Sequence, residues 1–160
     1  MPELRELWVT LTTADTFLAG TDADMFIEFG LTGRSVKLPD QPGNDLEQPG
    51  LLGSNATTYI FHVDDLSTAD FVPGTVSLRN GNQNPLIPGP PGQLLQGWRC
   101  HAVLIIGLGR DGKFYPLVAM RDVDRWLAAD EPEGIVLRLD VLKPAEIGVL
   151  EGAHLVIGGD

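Results

Sequence analysis

The sequence predicts an all-β fold, a sandwich or a barrel. Three observations carry this. Apolar residues recur with a period of two rather than 3.6. The alternating segments are short and end in turn-forming residues. The chain holds 19 Gly and 12 Pro in 160 residues, spread between those segments, which argues against long helices.

The elements follow in order. In LWVTLTT (residues 7–13) Leu7, Val9 and Leu11 alternate with Trp8, Thr10 and Thr12. In MFIEF Met25, Ile27 and Phe29 share a face, and in TTYIFHV Tyr59, Phe61 and Val63 do the same. GTVSLRN offers Val76 and Leu78. CHAVLIIGL (100–108) is a nearly continuous apolar run containing Val103 and Ile105, the pattern of a central strand covered on both sides. KFYPLVAM (113–120) is a further strand, which Pro116 assigns to an edge or irregular position. GIVLRLDVL (134–142) completes the set. The core expected from this alternation is Val9, Leu11, Met25, Ile27, Phe29, Tyr59, Phe61, Val76, Leu78, Val103 and Ile105. Trp8, Trp98 and Trp126 are expected to join it as core aromatics. The best helix candidate is one or two turns at DVDRWLAAD (122–130), capped by Asp122 or Asp124. NPLIPGPPG (84–92) is a long irregular connection.

Composition bounds the function. The net charge of -11 disfavours nucleic acid, which attracts a basic stripe, and repels anionic membranes unless a cation intervenes. A single cysteine, Cys100, rules out an intramolecular disulfide. No signal-peptide pattern opens the chain, and its longest apolar run is too short to span a bilayer, so the expected location is cytoplasmic, with peripheral membrane contact open to it.

Catalytic and cofactor motifs fare poorly. GLGRDG (107–112) matches the G-x-G-x-x-G dinucleotide fingerprint and follows a strand, but the residues after it do not form a helix pattern. Asp111-Gly112 between two apolar runs is a hairpin signal instead. His62, His101 and His154 are scattered, and Cys100 beside His101 is no dyad, because neighbours in a strand point to opposite faces. Asp64-Asp65 reads as a strand-ending turn. No catalytic residues and no enzymatic activity are expected.

The acidic segments AGTDADMFIEFG (19–30) and GNDLEQPG (43–50) remain. The first resembles the opening motif of PLAT domains, also called lipoxygenase homology or LH2 domains. NDLE (44–47), VDDL (63–66), Gly97-Trp98 and DRWLAADEPEG (124–134) resemble further elements of that family in the family's order. The resemblance implies an eight-stranded antiparallel β-sandwich, similar to C2 domains, over residues 1–134. It also implies a role: calcium-assisted attachment to a membrane or a protein. The iron-binding histidines of lipoxygenases are absent, so a stand-alone attachment module is expected, with residues 135–160 as an extension that adds an edge strand or an oligomer contact.

Calcium takes six to eight hard oxygens from carboxylates, amides and backbone carbonyls. Gly20, Thr21, Asp22 and Asp24 on one segment, with Asn44, Asp45 and Glu47 on the other, offer such oxygens, and the resemblance implies calcium binding at the matching positions. The same residue types also cap turns and solvate loops without any metal. Ala23 and the Gln96-Gly97 pair depart from the family pattern by lacking acids; Asn80 and Asn82 are candidate replacements. Phe17 and Leu18, with Leu86 and Ile87 in the Pro-rich segment, are the candidate apolar contacts for a lipid surface or a protein partner.

Overall fold

A computed structural model of the chain describes residues 2–13, 24–39, 55–81, 98–127 and 135–142. Among these, the elements are β1 (Glu3–Thr13), β2 (Met25–Phe29), β3 (Arg34–Lys37), β4 (Asn55–Ser67), a 3-10 turn (Thr68–Asp70), β5 (Val76–Asn80), β6 (Trp98–Gly109), β7 (Phe114–Met120), β8 (Arg125–Leu127) and β9 (Val136–Arg138). They form a β-sandwich. One sheet runs β4-β1-β6-β7, with β8 also paired to β6; the other runs β3-β2-β5-β9. Every pairing is antiparallel.

The alternation in the sequence becomes the inner face. Leu7, Val9 and Leu11 of β1, Ile27 of β2, Val76 and Leu78 of β5 and Ile105 of β6 are wholly buried in one continuous core. Each such side chain contributes about 1.5–3 kcal/mol by leaving water. Of the expected core, only Phe61 is partly buried, and it still packs against the rest. Trp8 is a correction. It lies on the outer, half-buried side of β1, set edge-on to Phe114 with ring centroids 5.2 Å apart, and its indole N–H donates to Glu6 Oε1 at 2.9 Å. The period of two requires this, because Leu7 and Val9 occupy the inner face. The side chains of Trp98 and Trp126 lie outside the description.

β6 is central, between β1 and β7, and β7 is the edge strand that Pro116 predicts. The GLGRDG segment makes the β6–β7 hairpin. Gly112 takes φ +81°, a conformation open to glycine, and no helix follows. Asp111 organises the turn: Oδ1 accepts from the Lys113 N–H at 3.0 Å and Oδ2 from the Tyr115 hydroxyl at 2.5 Å.

Three expectations change. β3, only four residues long with no buried position, was too short to announce itself by pattern. The DVDRWLAAD segment holds a strand, β8, where a helix is expected. Asp122 and Asp124 sit at φ +53° and +44°, which a right-handed helix excludes, and the free edge of β6 offers ladder bonds to Arg125–Leu127 instead. Asp64 and Asp65 form a bulge rather than an end: the register against β1 shifts between Leu4 and Glu6, Asp65 takes φ +56°, and β4 continues to Ser67. Arg34 of β3 donates to the carbonyls of Asp64 and Asp65 and ties the two sheets there.

The chain from β9 onward closes an open side of the sandwich. β9 pairs with β5, Leu139 N–H donates to Val76 O at 2.9 Å, and Val141 then bridges to Val118 of β7. Leu139 and Val141 are buried in the common core.

Candidate functional site

The two sheets are pinned together at one end. Asn80, the last residue of β5 and fully buried, donates from Nδ2 to Leu127 O, the last residue of β8, at 2.9 Å. Arg125 of β8 donates from Nη2 to Val136 O, the first residue of β9, at 2.6 Å. Antiparallel pairing then fixes the other termini. Thr13 ends β1 opposite Asn55, which starts β4; Met25 starts β2 opposite Asn80; Phe26 pairs with Lys37, the end of β3. The strand termini flanking segments 14–23, 40–54, 82–97 and 128–134 therefore all lie at this one end. The described residues on either side of 14–23 and of 40–54 thus stand at the same pole of the molecule.

Of the expected site residues, the structure describes Asp24. It stands just before β2, its side chain 49% exposed and 3.5 Å from Lys37 Nζ. Its carbonyl accepts the Gly81 N–H at 2.6 Å, which fixes the start of β2 against the end of β5. An exposed ion pair of this kind is worth at most about 1 kcal/mol, so Lys37 does not lock the carboxylate away from another cation. Gly20, Thr21, Asp22, Asn44, Asp45, Glu47, Phe17, Leu18, Leu86, Ile87 and Asn82 lie outside the described residues. Asn80 is fully buried and its Nδ2 serves the joint between the sheets.

The structure adds a constellation that the pattern analysis set aside. His101 stands at a bulge of β6, where the register against β1 shifts between Thr12 and Thr13. The segment between β7 and β8 runs beside it, and Val123 N–H donates to His101 O at 2.9 Å. Val123 packs against the core, and the residues on either side, Asp122 and Asp124, both adopt positive φ. His101 Nδ1 is 2.8 Å from Asp124 Oδ1, and Nε2 is 3.9 Å from Asp122 Oδ1. Among the described residues this is the group whose ligand atoms, all within 4.8 Å of one another, could hold a metal ion. In the sequence His101 was a lone strand histidine; the signal is the D-x-D spacing, which acquires a partner only through the pairing of β6 with β8.

Cys100, the neighbour of His101, points the other way into the core and is fully buried. Burial, reinforced by the negative Asp124, pushes its thiol up to about 12, so it stays protonated and is no nucleophile. The Cys100–His101 pair is not a dyad, because the thiol is sealed in the core while the half-exposed imidazole faces Asp122 and Asp124. Among the described residues no helix is long and apolar enough to cross a membrane.

This is the architecture of a PLAT-type β-sandwich. Two bacterial toxins of known structure have the same fold. The alpha-toxin of Clostridium absonum matches with a TM-score of 0.57 at 22% identity over 89% of this chain, and the alpha-toxin of an avian strain of Clostridium perfringens with a TM-score of 0.56 at 19% identity over 88%. This chain spans 32% and 31% of those toxins. A coral 8R-lipoxygenase, described as activated by calcium through a C2-like domain, matches at a TM-score of 0.49 and 21% identity, over 85% of this chain and 17% of that enzyme. No family model and no curated protein matches the sequence. At these identities the likeness to the toxins establishes the fold.

Proposed function

We propose that the chain is a calcium-assisted module for peripheral attachment to lipid membranes, without catalytic activity of its own. The observation that supports this best is the convergence of the strand termini flanking both acidic segments on one pole, where Asp24 also stands. The donor set expected from the sequence, Asp22, Asp24, Asn44, Asp45 and Glu47 with the carbonyl of Gly20 and the oxygens of Thr21, consists of hard oxygens, the chemistry calcium requires. An ion bound at that pole reverses the local sign on a chain of net charge -11 and lets lipid phosphate oxygens complete its coordination. Phe17, Leu18, Leu86 and Ile87 then enter the interface and add hydrophobic free energy that salt does not screen. The location this implies is cytoplasmic and membrane-peripheral.

Sedimentation with phosphatidylserine vesicles tests the reading. Binding is expected in calcium and release in chelator, with Phe17→Ser plus Leu18→Ser weakening vesicle binding while leaving calcium affinity nearly intact. Vesicle binding absent at every calcium level overturns it, and retention of a specific protein in that case assigns the same pole to protein interaction.

A further inference from the structure

We propose that His101, Asp122 and Asp124 form a second cation site, distinct from the oxygen-only calcium set, that takes a borderline divalent transition metal of the Zn2+ class. The imidazole decides the class. Calcium selects oxygen ligands, whereas Zn2+ binds an imidazole nitrogen at about 2.0–2.1 Å and a carboxylate oxygen at about 2.0–2.2 Å. The two ring nitrogens of His101 are already differentiated. An ionised carboxylate only accepts, so Nδ1, 2.8 Å from Asp124 Oδ1, is the donor of that pair, and the metal-binding neutral tautomer then carries its lone pair on Nε2. Nε2 faces Asp122 Oδ1 across 3.9 Å. Tetrahedral coordination at those bond lengths sets two ligand atoms about 3.4 Å apart, so the exposed Asp122 carboxylate closes on Nε2 by about half an ångström when an ion binds. Asp122 and His101 are thus the ligands and Asp124 is the positioning residue.

The frame is firm and the group accessible. The Val123 N–H to His101 O bond at 2.9 Å holds the segment carrying both carboxylates against β6. The side chains of His101, Asp122 and Asp124 are 37%, 86% and 43% exposed, so an ion reaches them from solvent and water fills its remaining positions. Cys100, the soft ligand nearest in sequence, is buried on the other face and takes no part.

Titration calorimetry of Zn2+ and of Ca2+ into the full chain, with long-range 15N spectra of the imidazoles, tests the assignment. One Zn2+ is expected to bind, shifting Nε2 of His101. His101→Gln is expected to lower Zn2+ affinity at least tenfold and to leave the Ca2+ response unchanged, which separates this site from the calcium-dependent reading. Asp122→Asn removes a ligand and weakens Zn2+, and Asp124→Asn weakens it by about 10–100-fold as an orienting partner does. Failure of Zn2+ to bind at millimolar concentration overturns the proposal. So does wild-type affinity in His101→Gln, a shift of His62 or His154 in place of His101, or displacement of Zn2+ by an equal concentration of Ca2+. Should His101→Gln fold poorly, the imidazole spectra of the unaltered protein decide alone.

Discussion

Replacing Asn80 by Ala tests the joint that holds the strand ends flanking the candidate segments at one pole. The side chain is wholly buried and its Nδ2 donates to Leu127 O at 2.9 Å, across the two sheets. Truncation removes a bond worth about 0.5–1.5 kcal/mol net, and it leaves the Leu127 carbonyl buried without this donor, at a cost of about 1–3 kcal/mol. A loss near 2 kcal/mol corresponds to a fall in Tm of about 4–8 °C for a chain of this length, at roughly 2–4 °C per kcal/mol. Asn80→Asp is the sharper variant. At neutral pH it sets a carboxylate oxygen against the carbonyl, so its loss exceeds that of Asn80→Ala. At acid pH the protonated carboxyl can donate again, and the gap between the two variants closes. Scanning calorimetry or urea unfolding at pH 7 and pH 4 measures both. A Tm change under about 1 °C for Asn80→Ala, or an Asn80→Asp variant no worse than Asn80→Ala at pH 7, refutes the assignment of Asn80 as the joint.

Three further predictions concern the strands that carry the site. At Gly107 an added Cβ meets Leu4 Cδ2 at 2.8 Å and Leu117 Cδ1 at 3.2 Å; Gly107→Ala is therefore expected to cost about 1–3 kcal/mol by overpacking, read from the urea midpoint. Cys100 is expected to resist alkylation at pH 8 in the folded state and to react once denaturant is added. Because its folded value of about 12 lies above the ordinary 9.0, the unfolded chain loses this proton first, and the contribution of Cys100 to stability declines as pH rises from 9 toward 12. The Asp111 hydrogen bond raises Tyr115 from 10.0 to about 12, with burial adding to it, so Asp111→Asn should move one phenol titration, followed by ultraviolet absorbance, to lower pH. Asp111 itself is lowered, chiefly by that hydroxyl and then by the Lys113 N–H. Its stabilisation of the hairpin is thus present above the ordinary 3.8 and disappears as pH falls through the lowered folded value.

The sequence by itself determined the fold class, most of the inner face and the hairpin at Asp111-Gly112. These are local properties: a period of two states which side chains share a face, and a glycine at positive φ marks a reversal wherever the sheet happens to lie. The same logic excluded dinucleotide binding, since the residues after GLGRDG pair as β7. Local pattern misjudged the short elements. Four residues at β3 carry too little alternation, and DVDRWLAAD has the composition of a capped helix until the free edge of β6 captures Arg125–Leu127. Tertiary structure alone decided which groups meet. Asn80 and Leu127 are 47 residues apart, and His101 and Asp124 are 23 apart. Their contacts follow from strand order and register, which no residue spacing encodes. The strand termini flanking the acidic segments share one pole for the same reason: antiparallel pairing and the joint at Asn80 align ends that the chain itself separates.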